Sequence, residues 1–330
     1  MSETYYLFSD GRLKRKDNVL RLTTPEGQYK DMKIEVTNEI YIFGEVDLNT
    51  KCLNYVGQLG INLHFFNYYG FYTGSFYPKE RAVSGRLLVK QVNHYEDSDK
   101  RTILAKKLIE GASFNIKRNL RYYNSREKDL EDPIFLIKKL RSEIDKCKDV
   151  KELMGIEGNI RKVYYSTWNK IVNQEINFEK RVKRPPDNLI NTMISFINSL
   201  IYTTCLAEIY KTQLNPTISY LHVPGERRFS LCLDLAEIFK PVLGDRLIFS
   251  LLNKNIITEK DFEEESNFYY IKEKGRKKIL QAYDERLKMT IKHKTLNRNV
   301  SYRHLIKLEC YKIIKHLMED QEYIPFEMWW

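Results

Sequence analysis

The run Ile61-Asn62-Leu63-His64-Phe65-Phe66-Asn67-Tyr68-Tyr69-Gly70-Phe71-Tyr72-Thr73-Gly74-Ser75-Phe76-Tyr77 carries eight aromatic residues between Phe65 and Tyr77, broken by Gly70 and Gly74. It is apolar on both faces, as expected of a strand buried in a core or held at a subunit interface. The same rings could instead stack on nucleobases. Packing is the favoured reading, because no Lys or Arg lies between Lys51 and Lys79 to hold a phosphate chain.

The sequence before this run reads as β-structure. Thr4 to Phe8 precedes Asp10-Gly11, Val19 to Leu22 precedes Pro25-Glu26-Gly27, and Ile40 to Phe43 precedes Gly44. Each is a short β-rich stretch closed by a turn signal. After residue 80 the period changes. Apolar residues recur at three- and four-residue spacing over Gly85 to Val92, Lys100 to Asn124, Asp132 to Lys146, Val150 to Asn173, Asn188 to Lys211 and Ser230 to Leu252, which predicts helices. Arg184-Pro185-Pro186-Asp187 marks a stop and a fresh start, with Asp187 as a plausible N-cap. The chain therefore reads as α+β, a β-rich domain over 1–80 followed by a larger all-α domain over 81–330.

Charge divides at the same place. The whole chain holds 55 Lys and Arg against 44 Asp and Glu, a formal net charge of +11 over 330 residues. Residues 1–80 hold 9 basic against 10 acidic residues, so the basic surplus lies entirely in the second part. Lys272 to Lys315 alone carries 14 Lys and Arg against 4 Asp and Glu. Lys117-Arg118-Asn119-Leu120-Arg121-Tyr122-Tyr123 and Arg181-Val182-Lys183-Arg184 add basic clusters. A surplus this one-sided points to a polyanionic partner, nucleic acid ahead of an anionic membrane surface.

Several classes are excluded. With 23 Tyr, 16 Phe and 3 Trp, the chain is too aromatic to be disordered as a whole. The N-terminus has no basic run leading into an apolar stretch, so no signal peptide is expected. Asn188 to Ala207 is uncharged and has the length of a membrane span, but eight of its residues are Asn, Ser or Thr, which predicts a buried or half-buried helix and no membrane role. The five cysteines, Cys52, Cys147, Cys205, Cys232 and Cys310, are scattered and form no C-x-x-C pair. That argues against a disulfide framework or zinc ribbon and fits a reducing cytoplasm. Neither G-x-x-x-x-G-K-S/T, nor G-x-G-x-x-G, nor G-x-S-x-G occurs.

The chemistry centres on a few acids and one histidine. Leu221-His222-Val223-Pro224-Gly225 reads as a loop, and it leads into Ser230-Leu231-Cys232-Leu233-Asp234-Leu235-Ala236-Glu237-Ile238-Phe239-Lys240-Pro241. Asp234 and Glu237, three apart, share a helix face among apolar neighbours. Two buried like charges are costly unless a cation joins them. A divalent metal would resolve the conflict, with His222 as a further ligand, and mixed imidazole and carboxylate donors suit Mn²⁺ and tolerate Mg²⁺. The plainer alternative pairs these acids with Arg227, Arg228 or Lys240 and leaves His222 as a satisfied loop residue. In Gly155-Ile156-Glu157-Gly158, an acid lies beside an apolar stripe, and Gly158 costs about 1 kcal/mol of helix propensity relative to Ala, which a close backbone approach would explain.

Taken in order, these motifs resemble the CRISPR-associated protein "Cas one" family, the integrase and endonuclease of spacer acquisition. The resemblance covers nearly the whole chain. It runs through Ile40-Tyr41-Ile42-Phe43-Gly44-Glu45-Val46-Asp47-Leu48-Asn49, His64 to Pro78, Gly155-Ile156-Glu157-Gly158, Lys183-Arg184-Pro185-Pro186-Asp187-Asn188-Leu189-Ile190-Asn191, His222, and Asp234 to Pro241. It looks closest to the subtype I-B kind.

The resemblance implies a β-sandwich-like N-terminal domain that dimerises and a helical catalytic domain that binds double-stranded DNA. It implies metal ligation by Glu157, His222 and Glu237, with Asp234 a neighbouring acid that could also ligate. Lys240 stands where the family has a basic residue. Arg227, Arg228, Lys183, Arg184, Arg118 and Arg121 complete the expected DNA contacts. The third ligand is often Asp in the family and is Glu237 here; Ile238 replaces a common proline. A homodimer, a small partner "Cas two", Mg²⁺ or Mn²⁺, and metal-dependent joining or cleavage of DNA follow as expectations. The rival readings are a basic helical scaffold that binds DNA without catalysis, and an RNA-directed nuclease on the same metal site.

Overall fold

The computed structural model describes residues 3–79, 82–176, 178–183, 185–226, 228–265 and 268–329. The chain forms two compact units, Met1–Arg81 and Ala82–Trp330.

The first unit contains β1 (Glu3–Leu7), β2 (Gly11–Lys16), β3 (Val19–Thr23), β4 (Tyr29–Lys33), β5 (Thr37–Ile42), β6 (Val46–Leu48), α1 (Thr50–Leu59), β7 (Asn62–Phe66) and β8 (Tyr72–Phe76). They build two four-stranded sheets, ordered β1-β5-β7-β8 and β4-β3-β2-β6. In the first sheet β5 pairs parallel with β1 and β7, while β8 closes it antiparallel. Leu13, Leu20, Leu22 and Met32 from one sheet meet Leu7, Ile40, Ile42 and Leu63 from the other, with Cys52 and Val56 of α1, in a single apolar core. Each buried Leu or Ile there contributes roughly 1.5–3 kcal/mol.

The aromatic run is thus a hairpin. Gly70 takes the left-handed φ of 84° that its turn requires. Helix α1 lies within the stretch expected to be β-rich. It is set by the Asn49 side chain, which accepts from Cys52 N at 2.9 Å, and by Gly60 at φ 75°.

The second unit contains α2 (Gly85–Glu96), α3 (Ser98–Asn124), α4 (Glu131–Ser142), α5 (Val150–Ser166), α6 (Trp168–Ile171), α7 (Leu189–Ile209), α8 (Ser230–Phe239), α9 (Arg246–Asn253), α10 (Glu273–Lys288) and α11 (Tyr302–Leu317). Two small hairpins, β9 (Phe262–Glu265) with β10 (Phe268–Ile271) and β11 (Thr290–Lys292) with β12 (Asn299–Ser301), interrupt what was expected to be purely helical. Helix α8 packs against both α3 and α7, and α5 packs against α3 and α4. Helix α7 is long and apolar enough to cross a membrane, but it is mostly buried inside this unit. All five cysteines are free thiols and buried.

The single helix expected over Ser230 to Leu252 is in fact three pieces. Between α8 and α9, Lys240–Asp245 winds as a π-helix. Pro241 supplies no backbone N–H, and the wider turn leaves carbonyls for other donors. Asn119 Nδ2 donates to Pro241 O at 2.8 Å and Arg286 Nε to Val242 O at 2.9 Å. Asn115 Nδ2 likewise donates to Ile238 O at 3.0 Å. The insertion leaves Asp245 buried.

Candidate active site

Asp234 and Glu237 do share one face of α8, and both are buried, at 0% and 6% exposure. Their charges are answered in different ways. Asp234 Oδ2 accepts the backbone N–H of Tyr220 at 2.6 Å and of Leu221 at 3.0 Å. Its Oδ1 accepts the N–H of His222 at 2.9 Å and lies 2.8 Å from His222 Nδ1. The loop is wound around this carboxylate, and four donors offset its desolvation. Ser219 Oγ adds a bond to His222 O at 2.6 Å. Arg228 folds back to donate to Val223 O. A Cβ on Gly225 would come within 2.8 Å of that guanidinium, so a larger residue there would make Arg228 shift.

With Asp234 accepting at Nδ1, the proton sits there and the Nε2 lone pair is left for another partner. Burial would lower the His222 pKa, but the Asp234 bond and charge, with Glu237 beyond, raise it on balance.

Glu237 faces α5 instead. That helix starts at Asp149, whose side chain accepts from Glu152 N at 2.8 Å, and carries Glu157 and Arg161 one turn apart. Arg161 Nε donates to Glu157 Oε1 at 3.1 Å, and its Nη2 donates to Glu237 Oε2. Lys240 Nζ donates to Glu237 Oε1. Burial alone would raise the Glu237 carboxyl, but Lys240 and Arg161 outweigh it and hold it well below the usual carboxylate range. Lys183 lies within electrostatic reach of the same acids: burial pushes its pKa down, Lys240 and Arg181 add to that, and Glu237 and Glu157 oppose it.

The donor set suits a divalent ion: two carboxylates from separate helices and an imidazole with its other nitrogen pinned. Yet no three His, Cys, Asp or Glu side chains are gathered for metal ligation among the described residues. Glu157 and Glu237 are turned toward Arg161 and Lys240 instead. Both Asp234 oxygens are engaged by the His222 loop. The close approach expected at Gly158 is not found, since a Cβ there meets nothing within 4 Å, and the same holds at Gly155. These glycines leave the helix surface beside Glu157 open. A cleft of about 700 Å³ beside His222 is lined by Tyr95, Arg101, Met154, Val223 and Arg228.

The other expected DNA contacts scatter more widely. Arg118 is half-buried and Arg121 exposed on α3. Next to them, Lys117 has its pKa pushed down to about 8 by burial, then by Arg141 and Arg121. Burial is the larger cause, and Arg141 of α4 adds like charge beside it. Arg184 and Arg227 lie outside the described residues.

Two residues of the site were not singled out from sequence. Arg161 could have been found by its i+4 spacing from Glu157. Asp245 is carried by the π-helix: burial pushes its carboxyl up to about 7 against the pull of Arg161 and Tyr164. Its Oδ2 has no hydrogen-bond partner among the described residues.

Comparison with known proteins fits this arrangement to a family. The family model described as CRISPR associated protein Cas1 matches residues 5–285. The chain belongs to the Cas1 family. A CRISPR-associated endonuclease Cas1 of Fusobacterium nucleatum is 57% identical over 330 residues, covering 100% of this chain and 98% of the relative. A Cas1 endonuclease of Pyrococcus horikoshii is 42% identical, covering 98% of each. The solved Cas1 protein of Thermotoga maritima superposes with a TM-score of 0.87 at 42% identity, over 97% of this chain and 98% of its own. A casposase bound to integration product shares the fold, with a TM-score of 0.88 at 21% identity over 99% of this chain and 93% of its own. This Cas1 chain is therefore an enzyme of the CRISPR-associated endonuclease class, with the α+β fold of its relatives.

Proposed function

We propose that the chain is a DNA integrase with endonuclease activity, which joins the 3′-hydroxyl ends of foreign DNA fragments into the CRISPR repeat array by phosphoryl transfer. The observation that carries this is that Glu157 and Glu237 meet on Arg161, with Glu237 within electrostatic reach of an Nδ1-pinned His222, within the basic unit of a Cas1 chain. Glu157, His222 and Glu237 would hold a divalent ion, Mg²⁺ or Mn²⁺, which supplies Lewis-acid polarisation of the scissile phosphodiester when bound. Asp234 keeps the Nδ1 proton in place, so that Nε2 stays a lone-pair donor. Lys240 and Lys183 face phosphate oxygens from the rim of the pocket, and the cleft beside His222 receives the DNA strand. With a 3′-hydroxyl as attacker the outcome is integration; with water it is cleavage.

Double-stranded DNA is the proposed substrate, met by Lys183, Lys240, Arg118, Arg121 and Arg228. The β-rich unit is proposed to serve homodimerisation, and a small Cas2 partner to bridge dimers. Supporting this, the fold recurs in a solved Cas6-RT-Cas1–Cas2 complex, with a TM-score of 0.83 at 15% identity over 100% of this chain and 36% of that one. Five buried, free cysteines suit a cytoplasmic site of action.

Glu157→Ala tests the reading. Strand transfer with Mn²⁺ on a CRISPR repeat plasmid should fall at least about 100-fold, as expected when a group acting on transition-state charge is removed. DNA binding should stay within about twofold, because the phosphate contacts are untouched. Full activity would refute the ligand set. A second reading, a DNA-binding scaffold without catalysis, draws on the pairing of Glu237 with Lys240 and Arg161. Calorimetry separates the two: Mn²⁺ binding that survives unchanged in His222→Ala would favour the scaffold.

A further inference from the structure

Arg161 has an unusual bonding pattern. The guanidinium edge formed by Nε and Nη2 ordinarily grips both oxygens of one carboxylate. Here it is divided, with Nε on Glu157 Oε1 at 3.1 Å and Nη2 on Glu237 Oε2. The two acids come from different helices, α5 and α8. One oxygen from each helix is thereby held along a single guanidinium edge. The Arg161 side chain is only 12% exposed, so the contact is largely withdrawn from solvent screening.

Two carboxylates drawn to one place out of water need a cation to join them, and Arg161 touches both while Lys240 touches Glu237 alone. The same oxygens are the donors that a divalent ion would require. This is why Glu157, His222 and Glu237 do not stand gathered around a common point.

We propose that Arg161 is the resident cation of this pocket and competes with the divalent ion for Glu157 and Glu237. It holds the two ligand helices together while the pocket lacks a metal, and it must release at least one acid before the ion can be seated. The inference rests on the metal-site reading of the proposed function. A pocket whose ligands are free one time in ten binds its ion about tenfold more weakly than an open one. Arg161 therefore sets a threshold of metal concentration. Once displaced, its guanidinium lies beside the pocket, free to meet a DNA phosphate.

The test is Mn²⁺ binding to the full-length protein without DNA, by calorimetry, with melting temperature recorded at zero and saturating Mn²⁺. Arg161→Gln, which keeps a hydrogen-bonding side chain but no charge, should lower the metal-free melting temperature and tighten Mn²⁺ binding about tenfold. Its stabilisation by Mn²⁺ should also exceed that of the wild type. Arg161→Lys keeps the charge but loses the divided fork, and should tighten binding by a smaller factor. If Arg161→Gln does not fold, Arg161→Lys decides alone. Binding equal to or weaker than wild type in the folded variants overturns the proposal, because it would make Arg161 a clamp that preorganises the ligands. The failures are distinguishable: if wild-type binding of Mn²⁺ is absent or unaffected by His222→Ala, the metal-site reading fails; if it depends on His222 but does not tighten in the Arg161 variants, only the role of Arg161 fails.

Discussion

The two sides of α8 solve one problem with opposite means. On the loop side, Asp234 is neutralised by three backbone N–H groups and the Nδ1 of His222, donors that the chain cannot withdraw without unwinding the loop. On the α5 side, Glu237 is neutralised by Arg161 and Lys240, side chains that can leave. Buried acids three residues apart thus differ in kind. One is held by the backbone of a loop, and the other by two cationic side chains.

The sharpest way to break this comparison is stability. Asp234→Ala strands three buried N–H donors and frees His222, so it should cost about 3–5 kcal/mol in urea unfolding and remove activity with it. Glu237→Ala leaves Arg161 still paired with Glu157 and Lys240 able to reach solvent, so it should cost about 1–2 kcal/mol while abolishing strand transfer. Equal or reversed losses would show that the anchor and the ligand are not distinct.

A smaller effect should come from beneath the α5 side. Asp245 is protonated up to about pH 7 in the folded protein, whereas in the unfolded chain its carboxyl ionises near the ordinary value of 3.8. Between those values the unfolded state releases a proton that the folded state keeps, so this residue makes stability fall as pH rises across the window. Asp245→Asn should flatten that slope, matching wild type near pH 4 and exceeding it at pH 8 in thermal melts. A slope unchanged by the substitution would place the titration elsewhere.

Smallest of all, Lys183→Ala should weaken DNA binding a few-fold, uniformly across sequences, and reduce the salt-dependence slope by about 1. A sequence-dependent loss would mean that Lys183 reads bases instead of phosphate.

Much of the architecture was legible. The change near residue 80, from short β-rich stretches closed by turn signals to three- and four-residue periodicity, coincides with the division into two units. What escaped was short or unusual. Helix α1 sits within a β-rich stretch, and its signals are only the Asn49 and Gly60 caps. Helices α10 and α11 sit in the stretch read as a charge run, because basic residues dominate their pattern. The break at Pro241 was visible as a proline, but not as a π-helix, because that outcome needs Asn119 and Arg286 from other helices to take up the freed carbonyls.

For the site, local reading reached Asp234, Glu237 and His222, because an acid pair among apolar neighbours demands a partner whatever the fold. Glu157 became a strong candidate only through the family resemblance. Arg161 and Asp245 were not reached at all.

Sequence by itself determined the residue types, their spacing, the two-part organisation and the basic surplus of the second part. Those are properties of neighbours along the chain, set by helix and strand periodicity and by composition. Which acid anchors the histidine loop and which is paired with cationic side chains was decided only by tertiary structure. Asp234 and Glu237 are chemically alike and lie on the same helix face; what separates them is that a loop supplies N–H groups to one, and a second helix supplies Arg161 to the other.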